Sequence, residues 1–145
     1  MKVAVLGGGP AGLYFAISMK LRDAAHDVTV YERNRADDTF GWGVVLSAET
    51  LANLAANDHV SATWIKKHFA YWDDIAVIHD GVRTVSTGHG FCGIGRKRLL
   101  LLLQRRAREL GIRIDFETEI SDPRPYMESH DLVVAADGLN SRSRA

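Results

Sequence analysis

The chain is short of cysteine, has no surplus of charge of either sign and contains no long apolar run. Its single cysteine, Cys92, cannot close an internal disulfide and has no second Cys at zinc-ligand spacing. That excludes a disulfide-stapled scaffold and a zinc module, and it fits a reducing cytosol. Eighteen Lys plus Arg balance eighteen Asp plus Glu, so no global field draws the protein toward nucleic acid or an anionic membrane, and neither is expected as a partner. An anionic ligand must therefore be held locally. No apolar stretch approaches the roughly 20 residues of a membrane span, and the first residues lack the charged-then-apolar pattern of a secretory signal. Together these absences predict a soluble, cytoplasmic protein.

What is present is an ordinary globular composition, 46% hydrophobic and 25% charged over 145 residues, enough for one sizeable core and one domain. No repeat, low-complexity tract or linker interrupts it. "KVAVLG" reads as a buried parallel strand. Leu13, Ala16, Ile17 and Leu21 then recur at helical spacing between about Ala11 and Arg22, and "DVTVYE" is the next strand. Strand, Gly-rich turn, helix and strand make a βαβ unit, so the fold class is α/β with a parallel sheet. Further on, "GWGVVLS" is extended and precedes a helix from about Ala48 to Asn57, and "SATWIKKHF" is a short helix. "IAVIHDGVRTVS" is an antiparallel hairpin turning at Asp80-Gly81. Leu99 to Leu103 is apolar all round and predicts a helix buried on several sides, continued by Arg105, Arg106 and Arg108 and stopped at Gly111. "IRIDFETEI" alternates like a half-buried strand, and "DLVVAADG" reads as a fully buried one.

The chemistry begins at "GGGPAG". Gly7-x-Gly9-x-x-Gly12, with Pro10 and Ala11 in the same turn, lies between a strand and a helix, and Glu32 ends the second strand 20 residues beyond Gly12. Gly7 allows the tight turn, Gly9 lets a pyrophosphate approach the backbone, and Gly12 lets helix and strand pack closely. The helix N-terminus offers unpaired N–H groups to an anion. Glu32 is placed to accept hydrogen bonds from a ribose diol. The pattern predicts a dinucleotide site without choosing between NAD and FAD.

Three later segments, "FGWGVVLS", "GIGRKRLLLLLQRRARELGIRI" and "ADGLNSRSR", together resemble the FAD-dependent aromatic hydroxylases, the single-component flavoprotein monooxygenases of the para-hydroxybenzoate hydroxylase type. The resemblance covers essentially all of the chain. It implies a Rossmann-like FAD-binding domain in which the Arg of R-x-x-L, here Arg96, reaches the flavin cofactor. It also implies that a D-G-x-x-S-x-x-R loop, here Asp137, Gly138, Ser141 and Arg144, lies near the pyrophosphate and nicotinamide. "YERNRADDTFGWGVVLS" and "STGHGFCGIGRKRLL" are similar to the branch that hydroxylates aromatic coenzyme A thioesters such as salicylyl-CoA and 2-aminobenzoyl-CoA. A tryptophan-type hydroxylase shares the Gly-Trp-Gly-Val-Val pattern. The wider family carries Arg around the position of Trp42 and Gly43, and this chain does not.

The family implies FAD as cofactor, NADH or NADPH as co-substrate, molecular oxygen and an electron-rich aromatic ring. Its members continue past the Asp-Gly loop into a second sheet that covers the substrate. By that resemblance, residues 1–145 are the N-terminal FAD-binding portion of a longer enzyme, incomplete without its substrate domain and inactive alone. The hairpin at about 74–87 would then belong to the substrate layer, expose apolar surface and be covered by self-association. Rival readings are an NAD-linked oxidoreductase with the same βαβ start and a non-catalytic nucleotide-binding module.

Individual residues carry sharper and plainer readings. Arg33 stacks over adenine or is a surface arginine. Ile120, ending the strand expected beside adenine, offers backbone contact or simple packing. Trp42 flanks flavin or substrate, or packs. His89, inside the glycine-dense "TGHGFCGIG", is catalytic, a pH switch, or a hydrogen-bonded loop histidine. Cys92 is a small buried hydrophobe. Arg96-Lys97-Arg98 meets a CoA phosphate or is a solvated charge run. No nucleophile-base pair or carboxylate pair stands out, which suits chemistry carried by a cofactor.

Overall fold

The computed structural model describes every residue except 37, 40, 144 and 145, and the backbone alone at 48. Strand β1 (Lys2–Leu6) is apolar on both faces, and Val3 through Leu6 are buried. Helix α1 (Pro10–Arg22) follows, burying Gly12, Leu13, Ala16 and Ile17, and returns the chain to strand β2 (Asp27–Tyr31). Next come β3 (Gly43–Leu46), α2 (Ala48–Asn57), α3 (His59–Lys66) and β4 (Ala70–Trp72). Strands β5 (Ile75–His79) and β6 (Val82–Ser86) precede β7 (Phe91–Gly95) and α4 (Arg96–Glu109), and the described chain finishes with β8 (Arg113–Asp115), α5 (Arg124–Ser129) and β9 (Leu132–Ala135).

The expected α/β class is what forms. A four-stranded parallel sheet runs β8-β2-β1-β9, with Val3 beside Val28 and Leu132, and Val5 beside Val30 and Val134. Leu13 and Ile17 of α1 and Leu103 and Ala107 of α4 close the core over Val3, Val5, Val28 and Val30. A second, antiparallel sheet runs β3-β7-β4, joined to the same core through Ile94. The β5-β6 hairpin stands as a two-stranded sheet of its own. Its turn has positive φ at Asp80 and Gly81, as an Asp-Gly hairpin needs. All ten strand residues are exposed, Val77, Ile78 and Val82 among them, so this element has no core of its own.

Three expectations need correction. The nine-residue alternating strand is three residues long: Glu117 turns to φ +53, and the N–H groups of Glu117 and Thr118 bond back to the carbonyls of Asn34 and Glu32. Ile120 therefore lies in a loop and ends no strand. Strand β9 is half-buried rather than fully buried, because it is the sheet edge and pairs only with β1 among the described residues. Helix α4 is buried on several sides as expected, with Leu99, Leu100 and Leu103 buried and Leu101 36% exposed. Helix α3 begins two residues before "SATWIKKHF", because Asp58 caps it through Val60 N–H at 3.3 Å.

The same Asp58 anchors the packing of α3 on α4. It accepts from Ser61 Oγ at 2.5 Å, Arg106 Nε at 2.8 Å and Arg106 Nη2 at 3.1 Å. Burial pushes its carboxyl up, but the Arg106 and Ser61 bonds outweigh that and hold it below its ordinary value. Arg106, expected only as the polar continuation of the helix, is thus half of a buried ion pair.

Candidate dinucleotide site

The strand order reverses at β1: β2 follows it on one side and β9 lies on the other. In a doubly wound sheet, the crevice outside the carboxyl ends of the strands at such a point is where ligands bind. Here three backbone bonds tie those ends together. Gly7 N–H donates to Tyr31 O at 2.8 Å, Ala136 N–H to Leu6 O at 2.7 Å, and Glu32 N–H to Asp115 O at 2.9 Å. Above them opens a cleft of about 290 Å³.

The glycines of the turn do different work. Gly7 sits at φ +111, and a Cβ there would collide with Ala136 O. A Cβ on Gly12 would collide with Gly7 O, so α1 can approach β1 only without a side chain at that position. Gly9 has φ −70 and ψ 177, open to any residue, and a Cβ there would meet nothing within 4 Å. Its bareness therefore serves neither conformation nor packing; it keeps the cleft floor clear. Gly9 is the N-cap of α1 and Pro10 opens its first turn, with no side-chain cap and no acidic residue there. The positive end of the helix faces the cleft, and no acidic side chain of its own first turn competes for it. These features fit a pyrophosphate-bearing ligand.

Glu32 lines the cleft but is already engaged. Its Oε2 accepts from Gly8 N–H at 2.7 Å, and its Oε1 accepts from Asn34 N–H at 2.8 Å and Asn34 Nδ2 at 2.7 Å. A carboxylate offers about four acceptor positions, so one remains toward the cleft. Arg33 also lines it, with Nη1 3.9 Å from Glu119, and Glu119 lies 3.1 Å from Arg142 Nη1. Two cations and one anion thus rim the adenine side expected from the fingerprint.

Asp137 and Gly138 reach the cleft from the loop after β9, and Gly138 takes φ +82. Oδ2 of Asp137 accepts from the N–H groups of Arg142 and Ser143 and from Ser143 Oγ, so the side chain organises its own loop. Partial burial raises its pKa, but the Ser141 hydroxyl and the Ser143 donors outweigh this and bring it to about 2. The loop is therefore expected to keep its order from neutral pH down through the usual carboxylate range, and to lose this contribution only as pH falls through about 2. Amide chemical shifts of residues 138–143 across an acid titration test this; a transition near pH 4 would contradict it. Arg144, expected in the same loop, lies outside the described residues, as does Phe40 of "FGWGVVLS".

Of the residues expected to bind cofactor, Gly7, Gly9, Pro10, Ala11, Glu32, Arg33, Arg96, Ile120, Asp137 and Gly138 converge on this one cleft. Ile120 does so from its loop. Gly12 lies beneath, in the helix-strand contact. Trp42 and Gly43 do not line the cleft. Trp42 is 96% exposed and packs against none of the described residues, and its carbonyl accepts from Arg96 N–H at 3.2 Å where β3 meets the start of α4. Asn34, Thr118, Asn140 and Arg142 line the cleft without having been singled out in the sequence. Asn34 and Arg142 fall inside the segments "YERNR" and "DGLNSRSR", and that proximity was the signal available. Among the described residues no cluster of His, Cys, Asp or Glu could hold a metal ion, and no helix is long and apolar enough to cross a membrane.

The fold and cleft define a dinucleotide-binding protein of the doubly wound α/β class. The chain belongs to the pyridine nucleotide-disulphide oxidoreductase family, whose profile matches residues 1–136. It is 47% identical to a salicyloyl-CoA 5-hydroxylase of Streptomyces sp over 144 residues, 99% of this chain and 28% of the relative. It is 36% identical to a 3-hydroxy-4-methyl-anthranilyl-[aryl-carrier protein] 5-monooxygenase of Streptosporangium sibiricum, covering 99% of this chain and 40% of the relative. Among solved structures, 2-methyl-3-hydroxypyridine-5-carboxylic acid oxygenase superposes with a TM-score of 0.82 at 26% identity, over 99% of this chain and 41% of the other. The chain thus spans between about a quarter and two fifths of the length of these proteins. The resemblance to aromatic-ring hydroxylases read from the sequence is supported by these relatives.

Proposed function

We propose that this chain is the FAD-binding part of a flavoprotein monooxygenase that hydroxylates an aromatic ring with NADH or NADPH and molecular oxygen. The observation that carries the reading is the convergence of bare Gly9, the uncapped start of α1, Glu32 and Arg96 on one cleft at the sheet's reversal point. Arg96 brings a cation from α4, outside the βαβ unit, to the same cleft, and the R-x-x-L resemblance assigns it to a flavin rather than a nicotinamide dinucleotide. FAD, when bound, supplies the redox and oxygen chemistry. The chain's residues hold and orient it: Gly9 and the α1 N-terminus take the pyrophosphate, Glu32 one ribose hydroxyl, Arg33 the adenine face, and Arg96 the flavin side. Gly43, which opens β3, and Trp42 just before it lie outside the cleft and are proposed to meet the flavin where it extends beyond the cleft. The Asp137-Gly138 loop closes over the pyrophosphate with backbone that the Asp137 carboxylate holds in place.

The substrate is proposed to be an aromatic acyl-CoA, on the strength of the identity to the Streptomyces hydroxylase. In this reading residues 1–145 form one FAD-binding domain, the hairpin at about 74–87 belongs to the substrate layer, and the protein is cytoplasmic. Its exposed Val77, Ile78 and Val82 are the surface through which the isolated chain would self-associate. Sedimentation of wild type against Ile78→Lys tests that, with dissociation expected in the variant.

The deciding experiment is the visible absorbance of purified chain after incubation with FAD and desalting. Retained flavin bands are expected, and Arg96→Ala should weaken FAD binding about tenfold, the scale of one lost hydrogen bond to a charged group. A colourless protein with no measurable FAD affinity would overturn the reading.

A further inference from the structure

His89 is exposed yet held at three points. Its Nε2 lies 2.6 Å from Ser86 Oγ, its N–H donates to Asp73 O at 3.0 Å, and its ring stacks on Phe91 at 5.2 Å between centroids, 29° between planes. On either side Gly88 and Gly90 take φ +78 and +62, conformations that favour glycine, so the backbone is bent specifically to present this one side chain. An exposed loop histidine without a task has no need of such a mount. Its Nδ1 edge has no partner among the described residues.

The stack continues inward. Phe91 lies 5.8 Å from Trp72 at an interplanar angle of 27°, so Trp72, Phe91 and His89 form a ladder of near-parallel rings. The register explains its place. On β7, Cys92 and Ile94 are buried, whereas Phe91, Gly93 and Gly95 alternate onto the opposite face. Trp72 pairs with Phe91, and Gly43 pairs with Gly95. That face carries no β7 side chain at Gly95 or Gly93, and the Trp72 indole lies over Gly93, within about 3 Å of where its Cβ would be, so the face is aromatic from Gly93 outward. Arg96, the next residue after Gly95, lines the dinucleotide cleft. The ladder thus begins over Gly93, three residues or about 10 Å along the strand from Arg96.

We propose that Trp72, Phe91 and His89 form a second binding site, a stacking platform for a planar aromatic ring that carries a hydroxyl or amino group, with His89 Nδ1 as its polar contact. This rests on the reading of the chain as part of an aromatic hydroxylase and assigns the ring of the substrate to this wall. Rings stack offset on such ladders at favourable geometry, and a fixed imidazole adds direction that apolar stacking lacks. Ser86 is a positioning residue: its bond to Nε2 leaves Nδ1 turned outward.

The test is a titration of the full chain followed by NMR of the Trp72 indole and His89 imidazole, with salicylate as probe and cyclohexanecarboxylate as the charge-matched, non-planar control. Salicylate should shift both residues saturably and cyclohexanecarboxylate should not. Trp72→Ala and His89→Gln should each weaken salicylate binding at least fivefold, and Ser86→Ala about twofold, while FAD affinity stays within twofold of wild type. All three positions are exposed, and amide spectra of the variants check that they fold. Equal response to the saturated acid, no saturable shift, or unchanged affinity in both Trp72→Ala and His89→Gln overturns the platform. FAD binding, measured on the same samples, separates the two readings. A chain that retains FAD but ignores salicylate refutes the platform alone, and one that responds to salicylate but never takes up FAD refutes the flavin reading alone.

Discussion

Gly9→Ala is expected to leave the protein folded and abolish most of its dinucleotide affinity, whereas Gly12→Ala is expected to do the reverse in origin: it breaks the fold and loses the ligand only as a consequence. The two glycines belong to one motif but have different tasks in it, and their surroundings differ accordingly. At Gly9 the backbone is in an ordinary extended conformation and a Cβ would point into open space, so alanine costs under about 1 kcal/mol, mostly through the altered N-cap. That methyl occupies the place where a pyrophosphate must come closest to the α1 N-terminus, and affinity for FAD should fall roughly tenfold or more. At Gly12 the added Cβ would collide with the carbonyl oxygen of Gly7, backbone against backbone, with no side chain able to swing aside. Helix and strand must separate, at a cost of about 3 kcal/mol, the upper range for overpacking, or roughly 6–12 °C in Tm for a chain of this size. Thermal denaturation and FAD titration of both variants check the pair. A Gly9→Ala protein that binds FAD normally would remove the pyrophosphate from this position, and a Gly12→Ala protein of wild-type stability would show that the helix-strand contact is looser than the structure has it.

Asp58→Ala carries the other large effect. The Asp58 side chain is 3% exposed and that of Arg106 14%, so removing the carboxylate takes from a largely buried guanidinium its nearest partner and leaves it, among the described residues, only Glu109, 3.7 Å away. It also unpairs Ser61 and takes the cap from α3. Breaking one partner of such a pair typically costs about 3–5 kcal/mol, and urea denaturation should show a loss of that size. Asp58→Ala combined with Arg106→Leu should recover part of it, since the under-compensated charge is gone; a double variant no better than the single would show that the cap and Ser61, not the under-paired cation, dominate. The pH dependence has a definite sign. The folded protein holds this carboxyl below its ordinary value of 3.8. Its contribution is therefore complete above that value and is lost as pH falls through the lowered one. Wild type and Asp58→Ala should converge in stability in acid and diverge toward neutral pH. The anchored helix carries Arg96 at its other end, so loosening it should also weaken FAD binding modestly.

The elements that could be read from the chain were those whose cause is local. "KVAVLG" and "DVTVYE" formed as parallel strands because apolar, β-branched runs bounded by glycine or polar residues have few other ways to be buried. The Asp80-Gly81 turn formed because few dipeptides accept positive φ twice. The nine-residue alternating run failed at Glu117 because alternation says nothing of where the neighbouring strand ends; β2 gives way to a turn at Glu32, and the run folds back onto it. The buried ion pair was invisible for the same reason. Asp58 and Arg106 are 48 residues apart, and each alone looks like a surface charge.

By itself, then, the sequence determined that an α/β sheet would begin at residue 2, that a glycine turn would put a helix N-terminus above it, and that the ligand would be a dinucleotide. These follow from backbone geometry within some thirty consecutive residues. Only the tertiary structure brought Arg96, Ile120 and the Asp137 loop to the same cleft, left Trp42 outside it, and aligned Trp72, Phe91 and His89 into one stack. Each of those depends on which strand ends meet in space, and that is set by the packing of α1 and α4 over the sheet and not by any short stretch of the chain.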